Sequence, residues 1–316
     1  MAASPRRKRP WRARRPGRPR TDPGAGLHDA RPAFVTRILA FDSGIGGYGI
    51  VGALRTRLPR ADITMLSDNE VYPYGEIPDT ALVARIERVI GAGLDAVRPD
   101  VVVIACNTAS TVALDALRGR FAIPFVGTVP PVKWAASLSR TRHIGLLATA
   151  ATVRRPYLHD LAARFAADCT LLAHGARGLA DLAEAAFRGR PVPQDAIRHE
   201  LAALFGQPGG GRIDVVCIGC THYSFLLDAL RAASPDGILW LDPAEAVARR
   251  TADVLAQLGL DDTGNGAGVA LFTAPPADPE ALRCGLPGFG YPDFSLLEIA
   301  ETGIPAGTGY RPRLTV

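Results

Sequence analysis

DVVVIAC at Asp100–Cys106 and DVVCIGC at Asp214–Cys220 are the two stretches that decide the fold, and five of their seven positions are identical. Each is an apolar run of strand length that ends in a cysteine and leads into a helical pattern. Chance similarity between two hydrophobic strands is the simpler explanation, but the shared Asp and the shared Cys favour an internal repeat. The sequence therefore predicts two similar halves, each with a cysteine at the carboxyl end of a strand.

Short β-branched runs alternate with longer helical periods along most of the chain, such as the one-faced apolar pattern of Thr80–Val97. This alternation is typical of βαβ units, so we predict an α/β fold with mainly parallel sheets. In open sheets of this kind, ligands bind at the carboxyl ends of the strands. The predicted strands are Ile38–Phe41, Ile63–Leu66, Val101–Ala105, Phe125–Gly127, His143–Leu147, Thr170–Ala173, Ile213–Ile218 and Ile238–Leu241.

The charge of the chain is unevenly distributed. Residues 1–33 carry ten Lys/Arg and two Asp, a formal charge of +8, whereas the remaining residues carry 26 Lys/Arg and 29 Asp/Glu. The basic pI therefore gives no reason to expect a nucleic-acid partner. No apolar run reaches the roughly 18 residues of a membrane helix, so no membrane partner is expected either.

The N-terminal segment 1–34 is rich in Arg and Pro and has no hydrophobic period, as in SPRRKRPWRARRPGRPR at positions 4–20. We predict a disordered basic tail. A transit peptide, a nucleic-acid arm, a localisation signal and an untranslated extension that precedes a start near Val35 remain open. Because the segment has no signal-peptide core, a cytoplasmic location is expected.

The cysteines and lysines limit the cofactor chemistry. An odd number of cysteines, five, argues against a disulfide framework. Cys217 and Cys220 form a C-x-x-C motif of the redox or zinc type, but Cys217 falls within an apolar strand and no second pair follows. A pyridoxal-phosphate enzyme would need Lys133 for its Schiff base, since Lys8 lies in the tail. We therefore expect no metal and no cofactor.

Two cysteines at strand ends are suited to proton transfer. Each would open a helix, where backbone N–H groups favour a thiolate and lower the thiol pKa. If the halves face each other, one thiol can remove a proton from one face of a carbon while the other delivers a proton to the opposite face. A single nucleophilic cysteine with His222 as its base, as in an amidase, is the alternative. Cys169 and Cys284 lack a polar motif and are expected to be incidental.

Three further clusters accompany the cysteines. FDSGIGGYG (Phe41–Gly49) follows the first strand, and its glycines let the backbone approach a ligand closely. Their spacing differs from G-x-G-x-x-G, which disfavours a dinucleotide site. YPYG (Tyr72–Gly75) predicts a turn with polar groups. In ATAAT (Ala148–Thr152), the threonines are expected to cap a helix, and they could also bind a carboxylate.

DSGIGG, PYG, ACNTAS, ATAAT and GCTHY follow one another in the order and approximate spacing of the glutamate racemases, and the chain resembles that branch of the aspartate/glutamate racemase family from about Ile38 to Arg250. CNTAS together with CTHY is closer to glutamate racemases than to aspartate racemases, hydantoin racemases or arylmalonate decarboxylases. The resemblance implies a cofactor-independent isomerase that interconverts L- and D-glutamate and supplies D-glutamate for peptidoglycan.

The resemblance also implies two pseudo-symmetric α/β domains with mainly parallel sheets and the active site in the cleft between them. Residues 35–129 and 242–290 would form the first domain, 130–241 the second, and 291–316 a C-terminal extension. Expected partners are glutamate and, as an open alternative, a second copy of the chain in a homodimer, with no nucleic acid required.

By the same resemblance, Cys106 acts on the D-isomer and Cys220 on the L-isomer, with Asp42 and His222 assisting the two thiols. Tyr74 and Gly75 would contact the side-chain end of the substrate. The remaining substrate-binding residues would be Asp42, Ser43, Asn107, Thr108, Thr149, Thr152, Thr221 and His222.

The chain departs from the family pattern at three places and fits it poorly after Phe272. Tyr48–Gly49 replaces Leu-Ser, Ser224 replaces a proline, and Thr128–Val132 is an unusual connection. These differences keep two alternatives open: a same-fold racemase for another acidic amino acid such as aspartate, and an inactive or moonlighting binding protein of the gyrase-inhibiting kind.

Overall fold

A computed structural model describes residues 35–176, 178–299 and 314–315 of the chain. In chain order the strands are β1 (Arg37–Asp42), β2 (Asp62–Ser67), β3 (Val101–Ile104), β4 (Phe125–Gly127), β5 (His143–Ala148), β6 (Thr170–Gly175), β7 (Val215–Gly219), β8 (Leu239–Leu241), β9 (Ala270–Phe272), β10 (Phe294–Leu297) and β11 (Leu314–Thr315). All eight predicted strands are confirmed, with ends that differ by no more than two residues.

Helices connect these strands. They are α1 (Gly47–Arg57), α2 (Asp79–Val97), α3 (Asn107–Arg120), α4 (Val132–Leu138), α5 (Ala150–Arg154), α6 (Pro156–Phe165), α7 (Leu179–Phe187), α8 (Gln194–Phe205), α9 (Leu227–Ala233), α10 (Ala244–Gln257) and α11 (Pro279–Gly285). Short 3₁₀ helices lie at Asn69–Val71, Tyr74–Glu76, Gly210–Arg212, Thr221–Leu226 and Leu286–Phe289. Among the described residues, none of these helices is long and apolar enough to cross a membrane.

The strands form two sheets. Within the described residues the first sheet has the order β11-β10-β9-β2-β1-β3-β4, and the second has the order β6-β5-β7-β8. Every pairing is parallel except that of β10 with β11. The predicted α/β class is therefore confirmed. We refer below to each sheet with its packed helices as the first and the second lobe.

Apolar side chains fill both faces of each sheet, which explains the nearly continuous hydrophobic strands. Along β1, Ile38 and Ala40 face one core and Leu39 and Phe41 face the other. The second lobe repeats this arrangement with two cores of its own. Because helices cover both faces, polar groups can gather only at the strand ends.

The two halves of the sequence repeat occupy equivalent positions in the two sheets. Asp100–Cys106 forms β3 and ends in Cys106, the N-cap residue of α3. Asp214–Cys220 forms β7 and ends in Cys220, but a 3₁₀ segment of six residues, Thr221–Leu226, intervenes before α9. The repeat therefore fixes where each cysteine lies, while the backbone that follows it differs.

The C-terminal part of the chain returns to the first lobe. β9 pairs with β2, and β10 pairs with β9, so both strands extend the first sheet. The sequence pattern gave no strand in this region. The predicted tail, residues 1–34, and residues 300–313 of the predicted C-terminal extension lie outside the described residues, and the domain boundaries stay a prediction.

Candidate active site

The strand order brings the predicted polar residues to the carboxyl edge of each sheet. In the first lobe, Phe41 of β1 lies beside Ile104 of β3, so Asp42 at the end of β1 and Cys106 just after β3 lie at neighbouring strand ends. In the second lobe, Ala148 of β5 lies beside Gly219 of β7. Thr149 and Cys220 therefore leave adjacent strands as well.

One cavity collects residues from both lobes, and both Cys106 and Cys220 line it. Most of the residues predicted for the site share this lining: Ser43, Tyr74, Gly75, Cys106, Asn107, Thr108, Thr149, Cys220, Thr221 and His222. Asp42 and Thr152 lie outside the lining; Asp42 is completely buried, and Thr152 contacts Thr149. Tyr72, Pro73, Ala180 and Gly219 complete the wall.

The Cys106 thiol lies in a buried, anionic environment. Its sulfur is 3.8 Å from the Ser43 hydroxyl. Burial, and then the charge of Asp42, raise the pKa of Cys106 to about 12, although hydrogen bonds from the Ala109 N–H and from Ser43 oppose this shift. The expectation that a helix N-terminus would lower this pKa is therefore wrong for Cys106, because desolvation outweighs the backbone N–H groups.

Asp42 joins the two lobes. Its Oδ1 accepts the Gly44 N–H at 2.9 Å, and its Oδ2 accepts the Thr221 hydroxyl at 2.9 Å. Burial raises the pKa of Asp42 above its usual value, although the nearby charge of His222 and these two hydrogen bonds oppose the shift. The carboxylate beside the first thiol is thus bonded directly to the residue that follows the second thiol.

The second thiol has a different partner. His222 is buried, its Nε2 lies 3.1 Å from Glu184 Oε1, and Arg188 Nη1 lies 2.6 Å from Glu184 Oε2. Burial lowers the pKa of His222, but hydrogen bonds to Cys220 and Glu184 and the charges of Cys220 and Asp42 raise it well above its usual value. Burial likewise opposes ionisation of Glu184, yet His222 and Arg188 lower its pKa overall. The two form an imidazolium–carboxylate pair.

The glycine loop after β1 packs directly against this pair. A Cβ at Gly46 would lie 2.5 Å from Thr221 Oγ1 and 2.6 Å from His222 Nδ1. No side chain fits at those distances. The glycine loop of the first lobe thus packs against Thr221 and His222 of the second lobe. A glycine at position 46 permits this close contact.

Glu184 and Arg188 are functional candidates that sequence reasoning missed. They lie four residues apart at the end of α7, a spacing that is common for exposed ion pairs on helices. No motif surrounds them, and only the fold brings Glu184 to His222. The one available signal was the i, i+4 pair itself, which reads as an ordinary helix surface.

Tyr74 is fixed from behind the cavity. Its hydroxyl donates to Asp68 Oδ2 at 2.6 Å, and Arg85 Nη2 binds the same carboxylate at 2.5 Å. The hydroxyl is therefore engaged with Asp68, while Tyr74 lines the cavity.

Asn107 and Thr149 on the cavity wall differ in their hydrogen bonds to the protein. Both polar side-chain atoms of Asn107 are buried without a hydrogen-bond partner among the described residues, which leaves them for a ligand in the cavity. Thr149 Oγ1 accepts the Thr152 N–H at 3.2 Å, so the capping interpretation of ATAAT is confirmed.

The C-x-x-C pair does not form one site. Cys217 is completely buried in the core on one face of the second sheet, while Cys220 borders the core on the other face and lines the cavity. Both are free thiols. Among the described residues, no group of three or more His, Cys, Asp or Glu side chains is arranged to hold a metal ion.

Comparison with known proteins assigns the chain to the amino-acid racemases, a class of isomerases, and to a branch that does not use pyridoxal phosphate. The family model for Asp/Glu/Hydantoin racemases matches residues 57–251, and the chain belongs to this family. The resemblance of the motifs to glutamate racemases is thereby confirmed.

Individual relatives agree with this assignment. The glutamate racemase of Granulibacter bethesdensis is 49% identical over 271 residues, which cover 84% of this chain and 97% of that protein. The crystal structure of Escherichia coli glutamate racemase, in complex with L-glutamate and the activator UDP-MurNAc-ala, is 36% identical with a TM-score of 0.79 and covers 84% of this chain and 99% of that one. Glutamate racemase from Thermus thermophilus, in complex with beta-chloro-D-alanine, is 31% identical with a TM-score of 0.67, covering 84% and 97%. The predicted two-domain architecture is that of these structures.

Proposed function

We propose that this chain is a glutamate racemase that uses Cys106 and Cys220 as two opposed acid/base groups. The observation that carries the proposal is that both thiols line one cavity and come from different sheets. Glutamate is the substrate suggested by the relatives' names and by the L-glutamate in the E. coli structure. In each turnover the substrate loses one C–H bond and gains another on the opposite face.

In the D-to-L direction, the Cys106 thiolate takes the α-proton and becomes a thiol. The carbanion then takes a proton from the Cys220 thiol, which becomes a thiolate. The reverse direction exchanges these roles. After a D-to-L turnover Cys106 is a thiol and Cys220 a thiolate, so proton exchange with water must return the two sulfurs to their starting states before the next turnover in that direction. An α-proton is a weak acid, which is why a positioned base and stabilisation of the carbanion are both required.

The resting Cys106 must lose its proton before it can act as the base. Its pKa of about 12 makes the neutral thiol the resting form. A substrate ammonium group bound beside Asp42 would offset the negative charge that raises this pKa. Substrate binding would thus activate the thiol, with Asp42 holding the ammonium group or accepting the proton.

On the other side, the His222 imidazolium is hydrogen-bonded to Cys220 and is held by Glu184 and Arg188. An imidazolium in this position can supply or retain the proton that Cys220 exchanges. Asn107, Thr108, Thr149, Thr221 and Ser43 offer amide and hydroxyl groups for the α-carboxylate and ammonium groups. Tyr74 and Gly75 would meet the side-chain end, and Thr152 would act through Thr149.

The direct test is racemisation by the purified full-length chain without added pyridoxal phosphate or metal, followed by circular dichroism. We expect L- and D-glutamate to reach the same final mixture, with glutamate converted faster than aspartate. A faster rate with aspartate would instead identify an aspartate racemase, and inactivity with both would favour a binding protein.

The cellular role is proposed on the same basis. D-glutamate would be supplied for peptidoglycan in the cytoplasm, and the two domains would be residues 35–129 with 242–290 and residues 130–241. Rescue of a D-glutamate-requiring bacterium by this chain, and failure of a Cys106→Ala variant to rescue it, is the expected outcome. Sedimentation of the active enzyme would distinguish a monomer from a homodimer.

A further inference from the structure

We propose that Tyr72 is a positioning residue for the Cys220–His222 pair: its ring, carried by the first lobe, lies against the imidazole of His222 in the second lobe and holds it in line with Cys220 and Glu184. This inference rests on the proposed two-thiol function. The sequence placed Tyr72 only within the YPYG turn and gave it no role, since the part shared with the glutamate racemases, PYG, begins at Pro73.

The contact is a ring contact between lobes. The centroids of Tyr72 and His222 are 5.6 Å apart, and their planes are inclined by 34°. Gly44 lies close to both rings: a Cβ there would be 3.4 Å from Tyr72 Cδ2 and 3.2 Å from His222 Nε2. Tyr72 also lines the cavity. The tyrosine ring therefore forms the wall that His222 meets on the side of the first lobe.

The ring, rather than the hydroxyl, makes this contact. Among the described residues, the Tyr72 hydroxyl has no hydrogen-bond partner, in contrast to the hydroxyl of Tyr74, which is bonded to Asp68. Burial, and then the charges of Glu184, Cys220, Asp181 and Asp42, raise the pKa of Tyr72 far above its usual value. The phenol is thus neutral at every pH at which the enzyme could work.

A neutral aromatic face attracts a cation placed within about 6 Å of its centroid. The ionisable groups that face His222 are Cys220, Glu184, Asp42 and Tyr72 itself. Three of these hold the imidazolium by charge or by hydrogen bonds. Tyr72 adds a cation–π attraction that depends on orientation, so its ring restrains the plane of the His222 imidazole.

Loss of the Tyr72 ring should affect the two proton-transfer steps unequally. Loss of the ring would loosen His222 and admit water beside it, while the Ser43, Asp42 and Cys106 contacts would stay as they are. The step that passes through Cys220 should therefore slow more than the step through Cys106. A tyrosine that merely filled space would show no such preference.

The experiment compares Tyr72→Phe and Tyr72→Leu in the full chain, with Tyr157→Leu as a matched control. Tyr157 is half-buried on α6 and lies outside the cavity. We expect Tyr72→Phe to retain turnover within about twofold and Tyr72→Leu to lose roughly tenfold in kcat. The control should lower the melting temperature without changing the kinetics.

Isotope effects with α-deuterated substrates show which of the two proton-transfer steps has slowed. Because the equilibrium constant between enantiomers is fixed, kcat/KM must fall equally in both directions, and only isotope effects reveal which step slowed. In Tyr72→Leu the primary isotope effect should rise with L-glutamate and not with D-glutamate. Equal isotope effects in the two directions, or wild-type kinetics, would overturn the proposal, and so would a Tyr72→Phe variant as slow as Tyr72→Leu.

A second measurement does not depend on turnover. Nuclear magnetic resonance of ¹⁵N-labelled imidazoles should show the His222 pKa lowered by about half a unit in Tyr72→Leu and unchanged in Tyr72→Phe. An unchanged titration in Tyr72→Leu would contradict the proposal even if the chain proved inactive towards glutamate. Inactivity of the wild type would count against the proposed reaction alone.

Discussion

The Cys106 side of the cavity and the Cys220 side begin from the same local sequence but surround their thiols with different groups. Cys106 lies near Ser43 and an anionic Asp42, and its pKa is raised to about 12. Cys220 is hydrogen-bonded to His222. The imidazole of His222 also contacts Glu184, and Glu184 in turn pairs with Arg188. The repeat thus sets where the two thiols lie, while residues outside the repeat decide which groups surround each thiol.

This difference implies two routes to the reactive state. The Cys106 side carries the negative charge of Asp42, and in the proposed mechanism it would depend on a positive group, such as a substrate ammonium, to release its proton. The Cys220 side carries its own cation in His222.

The largest effects are expected from removing the partner on each side. Asp42→Asn and His222→Asn should each lower kcat by about a thousandfold, within the range of general acid–base catalysis. The isotope effect should rise with D-glutamate for Asp42→Asn and with L-glutamate for His222→Asn. These values come from initial rates with α-deuterated enantiomers.

Asp214→Asn is the matched control for these two variants. Asp214 accepts the Ser139 hydroxyl and the Arg140 N–H at 2.7 Å, outside the cavity. It should lower stability and leave kcat unchanged. The same isotope pattern in both partner variants would show that the two sides do not differ.

A smaller effect is expected in the reactivity of the resting Cys106. A thiol with a pKa of about 12 is ionised far less at neutral pH than an ordinary cysteine, so alkylation by iodoacetamide should be about a hundredfold slower. Since thiolate accumulates only as pH rises towards the pKa, the rate should climb steadily between pH 6 and pH 9.

Mass spectrometry of the alkylated peptides would measure this rate, with the exposed Cys284 as an internal reference. A rate for Cys106 that levels off below pH 8 would mean that the free enzyme already holds a thiolate there. In that case the substrate ammonium would not be needed for activation.

The smallest effect is expected at Glu184, which contacts His222 rather than a thiol. Glu184→Gln keeps a hydrogen bond to His222 but removes the charge that favours the imidazolium, so the His222 pKa should fall and kcat should drop by about tenfold. Glu200→Gln is the control, because Glu200 pairs with His174 at 2.5 Å in the same lobe and outside the cavity. If both variants lost activity equally, the effect would be one of lobe stability.

The two sides also differ in how much of their structure could be predicted from the sequence. The strands around Cys106 and Cys220 were predictable because apolar runs bounded by turns are local signals. Asp42, Ser43 and His222 lie within two residues of a strand or a cysteine, but their roles were implied by the resemblance of DSGIGG and GCTHY to the glutamate racemases. The short strands β9 and β10 were missed, since three or four residues in a Gly- and Pro-rich region carry too little pattern.

What the sequence could not reveal depends on contacts between distant segments. Glu184 reaches His222 from a different element, and Tyr72 reaches it from the other lobe. The direction of the Cys106 pKa was also beyond the sequence. A helix N-terminus is visible in a sequence, but the burial that outweighs it appears only when the lobes are folded.

The most direct test of two opposed thiols is deuterium exchange in D₂O with the single-cysteine variants. Cys220→Ala should incorporate deuterium into D-glutamate without inversion, and Cys106→Ala should do so only into L-glutamate. Cys169→Ala, which changes a cysteine that does not line the cavity, should racemise like the wild type. Exchange of both enantiomers by either active-site variant, or substantial racemisation by Cys220→Ala, would contradict the account.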